Sequence, residues 1–501
     1  MSDGTILELV SRGKKDAYQI QDPQRTWFGS PYERRSPSTR EFRRLYPENP
    51  PRFGQWFDII IPPDGDVLMS FDLRITMPTW LPPSIAVLNT QPHAYAVQVE
   101  SQPYELLSTP YITVPPQPPL TPIIKPPVFL YYGWCDGIAN YLIGRWALYV
   151  DNIMLLDGYG EFNTWFPDME TTQMKAPVLH AATGRVEDRS SASLQKNATL
   201  PELVFRVPIP GCQRPDDVGL PICAFKNQRV YVRVWLMDKT HLVQSSEIQD
   251  LIAPSLPEGT TVLPLYEICP APWDGRLIRV NGNLVDPDTG IPYPRTLTVN
   301  QMGQPQIYAR CAVLNLDNEL RKSMAAQKFE IRFRQQRRDD WTVDSTAFVP
   351  GVNYRRLLTI NGLFQTLFVG FRANARVRQN RFTDILPAAG EWLTQISLNV
   401  NGQDRILSWR PKILKTLANN TQLARDIDIA LYYLIFGVSP EFEPGGTCNL
   451  ARCQKAVLNL TFNNVPADPM TGTRITYGFV IGLAWNMLDI ADGIATLRFP
   501  N

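Results

Sequence analysis

The clearest regularity along the chain is an alternation of apolar and polar positions with a period of two, the mark of a strand with one face buried. In VLMSFDLRITM, Val67, Met69, Phe71, Leu73, Ile75 and Met77 fall on one face, with Ser70, Asp72, Arg74 and Thr76 on the other. RVYVRVWLM repeats the pattern, setting Val230, Val232, Val234 and Leu236 against Arg229, Tyr231, Arg233 and Trp235. In the second half, KFEIRF places Phe329, Ile331 and Phe333 together, and Leu458, Leu460 and Phe462 alternate with Asn459, Thr461 and Asn463. Such runs predict half-buried strands in both halves of the chain.

Between the runs lie Asp64-Gly65, Asp157-Gly158, Asn281-Gly282, Asn361-Gly362 and Asn401-Gly402. These pairs supply the positive φ angles that tight hairpins demand. Many short strands with few helical stretches predict an all-β sandwich or barrel. The best helix candidates are Asn318 to Gln327 and the region Ile413 to Ala430, read as loop insertions.

Two segments break the strand rhythm. Pro78 to Pro127 is too proline-rich for a central strand, because proline cannot donate to the ladder. It reads as a surface excursion within the first domain. Asp238 to Pro305 carries only scattered strand signals and reads as a connection between domains, with its own hairpin around Asn281-Gly282.

With 501 residues the chain exceeds the roughly 250 to 300 at which single cores stop growing, so two domains are expected. The 49 Lys and Arg against 48 Asp and Glu leave no overall field to draw in nucleic acid, and no sequence-specific nucleic-acid partner is expected. Charged residues are only 19%, below the roughly 25% of an average domain, as expected of a surface partly covered by partners. The 45 prolines argue against long helices, and seven widely spaced cysteines make no disulfide framework. The N-terminal MSDGTILELVSRGKK lacks a basic start and is interrupted by Glu8, so it fails as a signal peptide. A soluble, reducing setting is expected.

Candidate chemistry is sparse. His93, His180 and His241 lack metal-ligand spacing, and Cys448 with Cys453 forms a lone pair of thiols. No phosphate-binding loop, dinucleotide fingerprint, nucleophile elbow or zinc-protease helix occurs. Asp216-Asp217 and Asp339-Asp340 are paired carboxylates of the type that glycosidases use, although adjacent loop acids are usually only solvated. The sequons at Asn197, Asn419 and Asn459 read as chance matches. No catalytic residue, metal or cofactor is expected. Arginine, however, is concentrated in two places: Arg34, Arg35, Arg40, Arg43 and Arg44, and then the stretch from Arg332 to Arg381. Phosphate binding is one reading. The neutral total favours the other, contact with neighbouring protein subunits, with Arg34, Arg35, Arg337, Arg338, Arg355, Arg356, Arg376 and Arg378 as candidate interface residues.

Taken in order, several segments resemble the double jelly-roll major capsid proteins of nucleocytoplasmic large DNA viruses, the group of iridoviruses, phycodnaviruses and marseilleviruses. The opening ILELVSRGKKDAYQIQDPQRTWFGSPYERRSP, the WALYVDNIMLLDGYGEFNTWF segment and FRVPIPGCQRPDDVGLPICAFKNQRVYVRVWL are similar to parts of the family's first jelly roll. ISLNVNGQDRI and YLIFGVSPEFEPGGTCNLARCQKAVLNLTF carry the most specific likeness, and ITYGFVIGLAWNMLDIADGIATLRF is similar to the family's last strand and tail. The excursion at Pro78 to Pro127, the loop Thr171 to Thr199, and Gly211-Cys212-Gln213 in place of a more aromatic run depart from the pattern.

The resemblance implies two tandem eight-stranded antiparallel jelly rolls with long loop insertions and few short helices. It implies an N-terminal arm at 1–25, a first jelly roll at 26–237, a connection at 238–305 and a second jelly roll at 306–501. Deleting the arm is expected to spare trimers and impair lattice formation. The implied partners are the chain itself as a homotrimer, then neighbouring capsomers, minor capsid and penton proteins, and an inner membrane beneath the shell. The implied location is the virion, assembled in the host cytoplasm. A minor capsid paralogue, and a carbohydrate-binding β-sandwich with Trp80, Trp134, Trp165 and Trp392 stacking sugars, are the alternatives.

Overall fold

A computed structural model describes residues 38–78, 132–185, 202–213, 219–225, 228–238, 241–245, 278–280, 283–285, 303–343, 351–373, 393–421, 431–437, 446–462 and 476–499. Among the described residues, sixteen main strands form two sandwiches, with a few shorter strands paired onto them. The first contains β1 (Ser38–Leu45), β2 (Trp56–Ile61), β3 (Val67–Thr76), β4 (Ile143–Val150), β5 (Ile153–Gly158), β6 (Leu203–Arg206), β7 (Val230–Leu236) and β8 (Gln306–Leu316). The second contains β9 (Phe329–Val343), β10 (Asn353–Leu357), β11 (Leu363–Ala373), β12 (Leu393–Val400), β13 (Gln403–Trp409), β14 (Leu431–Ile435), β15 (Ala456–Phe462) and β16 (Thr476–Ala491). Among the described residues five α-helices lie between strands: α1 (Ile138–Leu142), α2 (Phe162–Glu170), α3 (Ala176–Thr183), α4 (Asn318–Ala326) and α5 (Pro411–Thr421).

The sheets of the first sandwich run β1-β8-β3-β6 and β2-β7-β4-β5; those of the second run β9-β16-β11-β14 and β10-β15-β12-β13. All the pairings are antiparallel. Adding eight to each strand number of the first sandwich gives the second, so the chain is a tandem repeat of one eight-stranded jelly roll.

Alternation placed the cores correctly with one local exception. β7 buries Val230, Val232, Val234 and Leu236, and β15 buries Leu458, Leu460 and Phe462. In β3, however, Leu68 is buried and Met69 only half-buried. The pairing of β8 with β3 shifts register between Ala312 and Val313, leaving Met69 unmatched, and this bulge reverses the facing of the residues before it.

The turn pairs divide by topology. Asn401 and Gly402, with φ of 53° and 88°, make the β12–β13 hairpin, in which Val400 faces Gln403. The strands Ile278–Val280 and Asn283–Val285 pair on either side of Asn281-Gly282. Asp64-Gly65 and Asn361-Gly362 instead lie where the chain passes from one sheet to the other. Asp157-Gly158 ends β5, and the β4–β5 turn is formed earlier, with Asp151 at φ 52°. Gly158 answers a different need: a Cβ there would stand 2.6 Å from the Trp146 ring. One hairpin passed over in the sequence, Asp492-Gly493, with φ of 54° and 88°, returns β16 to the short strand Ile494–Leu497.

The expected domain boundary moves. β8, placed above in the second jelly roll, pairs with β1 and β3 in the first. The segment 238–305 is therefore a connection within the first sandwich, and α4 is the link to the second. Periodicity identifies a strand but not its partner, so only the register could show this. The segment Thr171 to Thr199, expected as loop, contains α3.

Register also gathers the long connections. Gln306 lies opposite Thr76, and Leu203 opposite Ile75, so the end of β3 and the starts of β6 and β8 share one end of the sandwich. The connections 77–142, 159–202 and 237–305 all meet that end. Thr476 opposite Ala373 and Leu431 opposite Gly370 give the second sandwich the same arrangement.

Candidate functional site at the seam between the jelly rolls

The described residues hold no group of three or more metal-ligating side chains, and no helix among them is long and apolar enough to cross a membrane. The most elaborate constellation joins the two jelly rolls. Its centre is α2, in the connection between β5 and β6. Phe162, Trp165, Phe166 and Met169 recur at the i, i+3, i+4 and i+7 spacing of an apolar helix stripe. That stripe lies against the outer face of the β9-β16-β11-β14 sheet. Trp165 stacks on Phe479 with centroids 5.3 Å apart, and Phe162 and Phe166 meet Phe368 edge-on at 5.5 and 5.9 Å. The first sandwich thus contributes Phe162, Trp165 and Met169 to the core of the second. In return Phe333, Leu488, Ile490 and Ala495, at the far ends of the long β9 and β16 and on the strand that follows, belong to the core of the first.

Charge reinforces the seam. Glu161, immediately before α2, meets Arg338 of β9 at 2.5 Å and also pairs with Arg372 of β11. Arg338 is held further by Asp340 at 2.7 Å. Burial opposes ionisation of Glu161, but the attraction and hydrogen bonds of Arg338 and Arg372 outweigh it and hold the carboxyl below its ordinary value. Arg372 also lies over Trp165 and Phe479, 5.3 and 5.0 Å from the ring centroids. Arg334 reaches Glu170 at 3.1 Å, and Gln336 accepts the Tyr159 N–H at 3.0 Å.

The outer edge of β9 is closed by Gln213 of the first jelly roll. Its Nε2 donates to the Arg334 carbonyl at 2.9 Å, and its Oε1 accepts the Arg334 N–H at 2.8 Å. An edge strand would otherwise leave those two groups open. A cavity of about 490 Å³ sits beside the seam, lined by Tyr141, Met237, His241, Arg338, Trp341 and Arg372 among others.

The candidate arginines separate accordingly. Arg338 is in an interface, but one within the chain. Arg337 lies near Asp157 of β5; burial lowers its pKa, and Asp157 opposes that shift. Arg356 pairs with Asp339 at 2.9 Å and covers the Trp341 ring, so it serves the second sandwich itself. Arg355 is exposed on the edge strand β10. Arg34, Arg35, Arg376 and Arg378 lie outside the described residues. The sequence reading missed Glu161, α2 and Gln213, although the F-x-x-W-F-x-x-M spacing of α2 is a legible helix signal.

The other candidate groups have structural surroundings. Asp339 and Asp340 are neighbours on a strand and so face opposite ways: Asp339 is buried and accepts from Arg356 and the Thr359 N–H, whereas Asp340 binds Arg338. They do not share a site. His180 bonds Asp168 at 2.9 Å, and Asp168 also pairs with Arg185, fastening α3 to α2. Cys448 is buried, and Cys453 donates to the Asn449 carbonyl at 2.8 Å. Trp134 and Trp165 are buried in the two cores, closed to a stacking sugar. Asn459 bonds Ser397 within the sheet. His93, Trp80, Trp392, Asp216, Asp217 and Asn197 lie outside the described residues.

No family model matches the chain, and no curated protein matches it in sequence. Solved structures do match. A chain of the PBCV-1 virus capsid is similar with a TM-score of 0.64 and 14% identity, covering 95% of this chain and 100% of that one. The Faustovirus major capsid protein follows at 0.59 and 10% identity, over 96% and 94% of the two chains. The Sputnik virophage structure gives 0.51 and 9%, over 96% and 91%. The chain therefore has the double jelly-roll fold of viral major capsid proteins.

Proposed function

We propose that the chain is a structural capsid subunit that trimerises into pseudo-hexagonal capsomers tiling the icosahedral shell of a large double-stranded DNA virus. The observation that carries this reading is the repeat of one eight-strand order within one chain, joined by a seam that is both apolar and ion-paired. Three such chains around an axis present six like sandwiches, and a six-sided unit fills a flat face without gaps. The likeness to capsid chains over nearly the full length supports the same role. The chain acts by assembling instead of catalysing. Its partners are further copies of itself and other capsid components, including minor and penton proteins above an inner membrane, and its place is the virion after assembly in host cytoplasm.

The test is mass and shape. Light scattering of the purified chain should give three times 56.9 kDa, and negative-stain images should show six-sided particles. A monomer that binds glycans would overturn the proposal in favour of a carbohydrate-binding sandwich. Stoichiometry in purified particles separates a major subunit, present in most of the shell, from a minor paralogue present in few copies.

A further inference from the structure

The short connection 46–55, between β1 and β2, is tied down along its backbone and yet presents polar side chains that the fold does not use. The Phe53 N–H donates to Gln304 Oε1 at 3.0 Å, the Gly54 N–H to the Met237 carbonyl at 3.1 Å, and the Leu236 N–H to the Gln55 carbonyl at 2.9 Å. A turn bond of 3.1 Å from the Gln55 N–H to the Arg52 carbonyl closes the tip, and the buried Phe53 ring stacks on Trp134. Asn49, Arg52 and Gln55 are nevertheless exposed, and no hydrogen bond or ion pair among the described residues engages their side chains.

Trp56 stands beside them at the start of β2. One face of its ring is covered by the Arg233 guanidinium, 4.1 Å from the centroid. That guanidinium is itself fixed by a fork of two 2.8 Å hydrogen bonds to Asp58 and lies against Tyr149 and Tyr231. Trp56 remains 46% exposed, so the area left open belongs to the other face and the rim of the ring. Asn49, Pro50, Arg52, Gly54, Gln55 and Trp56 together line a cleft of about 610 Å³. Trp56 lies opposite Trp235, at the end of the sandwich where the long connections gather. Binding residues favour loops held in this way on a rigid scaffold.

The chemistry of the cleft selects its ligand. An indole face is negative and attracts a flat surface of C–H bonds, whose hydrogens carry partial positive charge. The two amides beside it both donate and accept, and a guanidinium without a carboxylate partner fits a carboxylate as a bidentate fork. A pyranose ring has a C–H face and a rim of hydroxyls, and a hexuronic acid adds the carboxylate. A purely apolar ligand would strip water from Asn49, Arg52 and Gln55 and return no hydrogen bond. A nucleotide would bring a doubly charged phosphate to a cleft where the Phe53, Gly54 and Gln55 N–H groups are already taken and Pro50 and Pro51 have none.

We propose that this cleft binds an acidic pyranose, a hexuronic acid residue of a glycan, with its C–H face on Trp56, its carboxylate on Arg52 and its hydroxyls on Asn49 and Gln55. The site lies within one jelly roll of one chain and does not depend on the trimer proposed above. Because the loop backbone and the rear face of Trp56 are already fixed, binding orders little beyond three short-range side-chain rotations.

Saturation-transfer difference NMR on the purified full chain tests this, with methyl β-D-glucuronoside, methyl β-D-glucoside and adenosine monophosphate as probes. The glucuronoside should receive saturation chiefly at the axial protons of one ring face. It should bind about tenfold more tightly than the glucoside, the ratio that one charge-assisted contact supplies. Arg52→Gln should erase that preference and leave the glucoside unchanged, and Trp56→Ala should abolish both signals. If Trp56→Ala loses its native near-ultraviolet circular dichroism, Asn49→Ala combined with Gln55→Ala, at exposed positions, should weaken both sugars about tenfold. No transfer to either sugar at millimolar concentration, equal binding of the two sugars, an unchanged preference in Arg52→Gln, or tighter binding of adenosine monophosphate overturns the site. Light scattering on the same sample keeps the two readings apart. Sugar binding by a trimer supports the site and leaves the capsid subunit standing, whereas a trimer that binds no sugar overturns the site alone.

Discussion

Glu161 of the first jelly roll and Arg338 of the second meet at 2.5 Å across the seam, with Arg372 on the other side of the carboxylate. Removing one member of a buried ion pair leaves the other charges without compensation, a cost of about 3–5 kcal/mol. Glu161→Gln should lower stability by that order in urea denaturation.

The same carboxylate predicts an acid response. Because its folded pKa is depressed, its contribution is present above the unfolded carboxylate value of about 4.3 and is lost as pH falls through the lower folded value. Unfolding free energy measured from neutral to acid pH should fall less steeply in Glu161→Gln than in the wild type over that window.

Trp165 is fully buried against Phe479, whereas Met174, nine residues along, is 93% exposed. Trp165→Ala should cost about 3–5 kcal/mol through the cavity it leaves. Met174→Ser should change stability by no more than about 0.5 kcal/mol. Chemical denaturation of the pair separates the seam from the surface of the same connection.

Gln213 satisfies the edge of β9 through both of its amide atoms. Gln213→Ala leaves the Arg334 N–H and carbonyl without those partners, at a cost of about 1–3 kcal/mol. Amide hydrogen exchange should accelerate at Arg334 first, and unchanged exchange there would show that the contact does not protect the strand.

Burial pushes the Cys135 and Cys311 thiols well above their ordinary range, so almost no thiolate forms at mildly alkaline pH. Native protein treated with iodoacetamide at pH 8 should leave both unlabelled, and unfolding should expose them to reaction.

Much of the architecture is written locally. The alternation in β3, β7 and β15 marks their core faces, and Asn401-Gly402 marks a hairpin, because strand facing and turn conformation depend on residues a few positions apart. Fold class and tandem organisation follow from such signals together with the resemblance. The helix stripe of α2 is also local and was open to the same reasoning. Pro167 lies inside it, and proline in a helix interior ordinarily signals a break.

Other features are decided only in three dimensions. That β8 returns to the first sandwich across 69 intervening positions, from 237 to 305, depends on which edge it pairs with, and alternation is blind to partners. The sequence offered Arg338 as a candidate for contact with a neighbouring subunit, whereas folding pairs it with Glu161 from the other jelly roll of the same chain. The sequence by itself determined that this protein is made of short half-buried strands, and its length that they fall into two domains. The tertiary structure decided where each half ends and which arginines are already paired within the chain. The physical reason is range: facing and turning are set by neighbours along the backbone, whereas pairing and charge compensation are set by groups that only folding brings together.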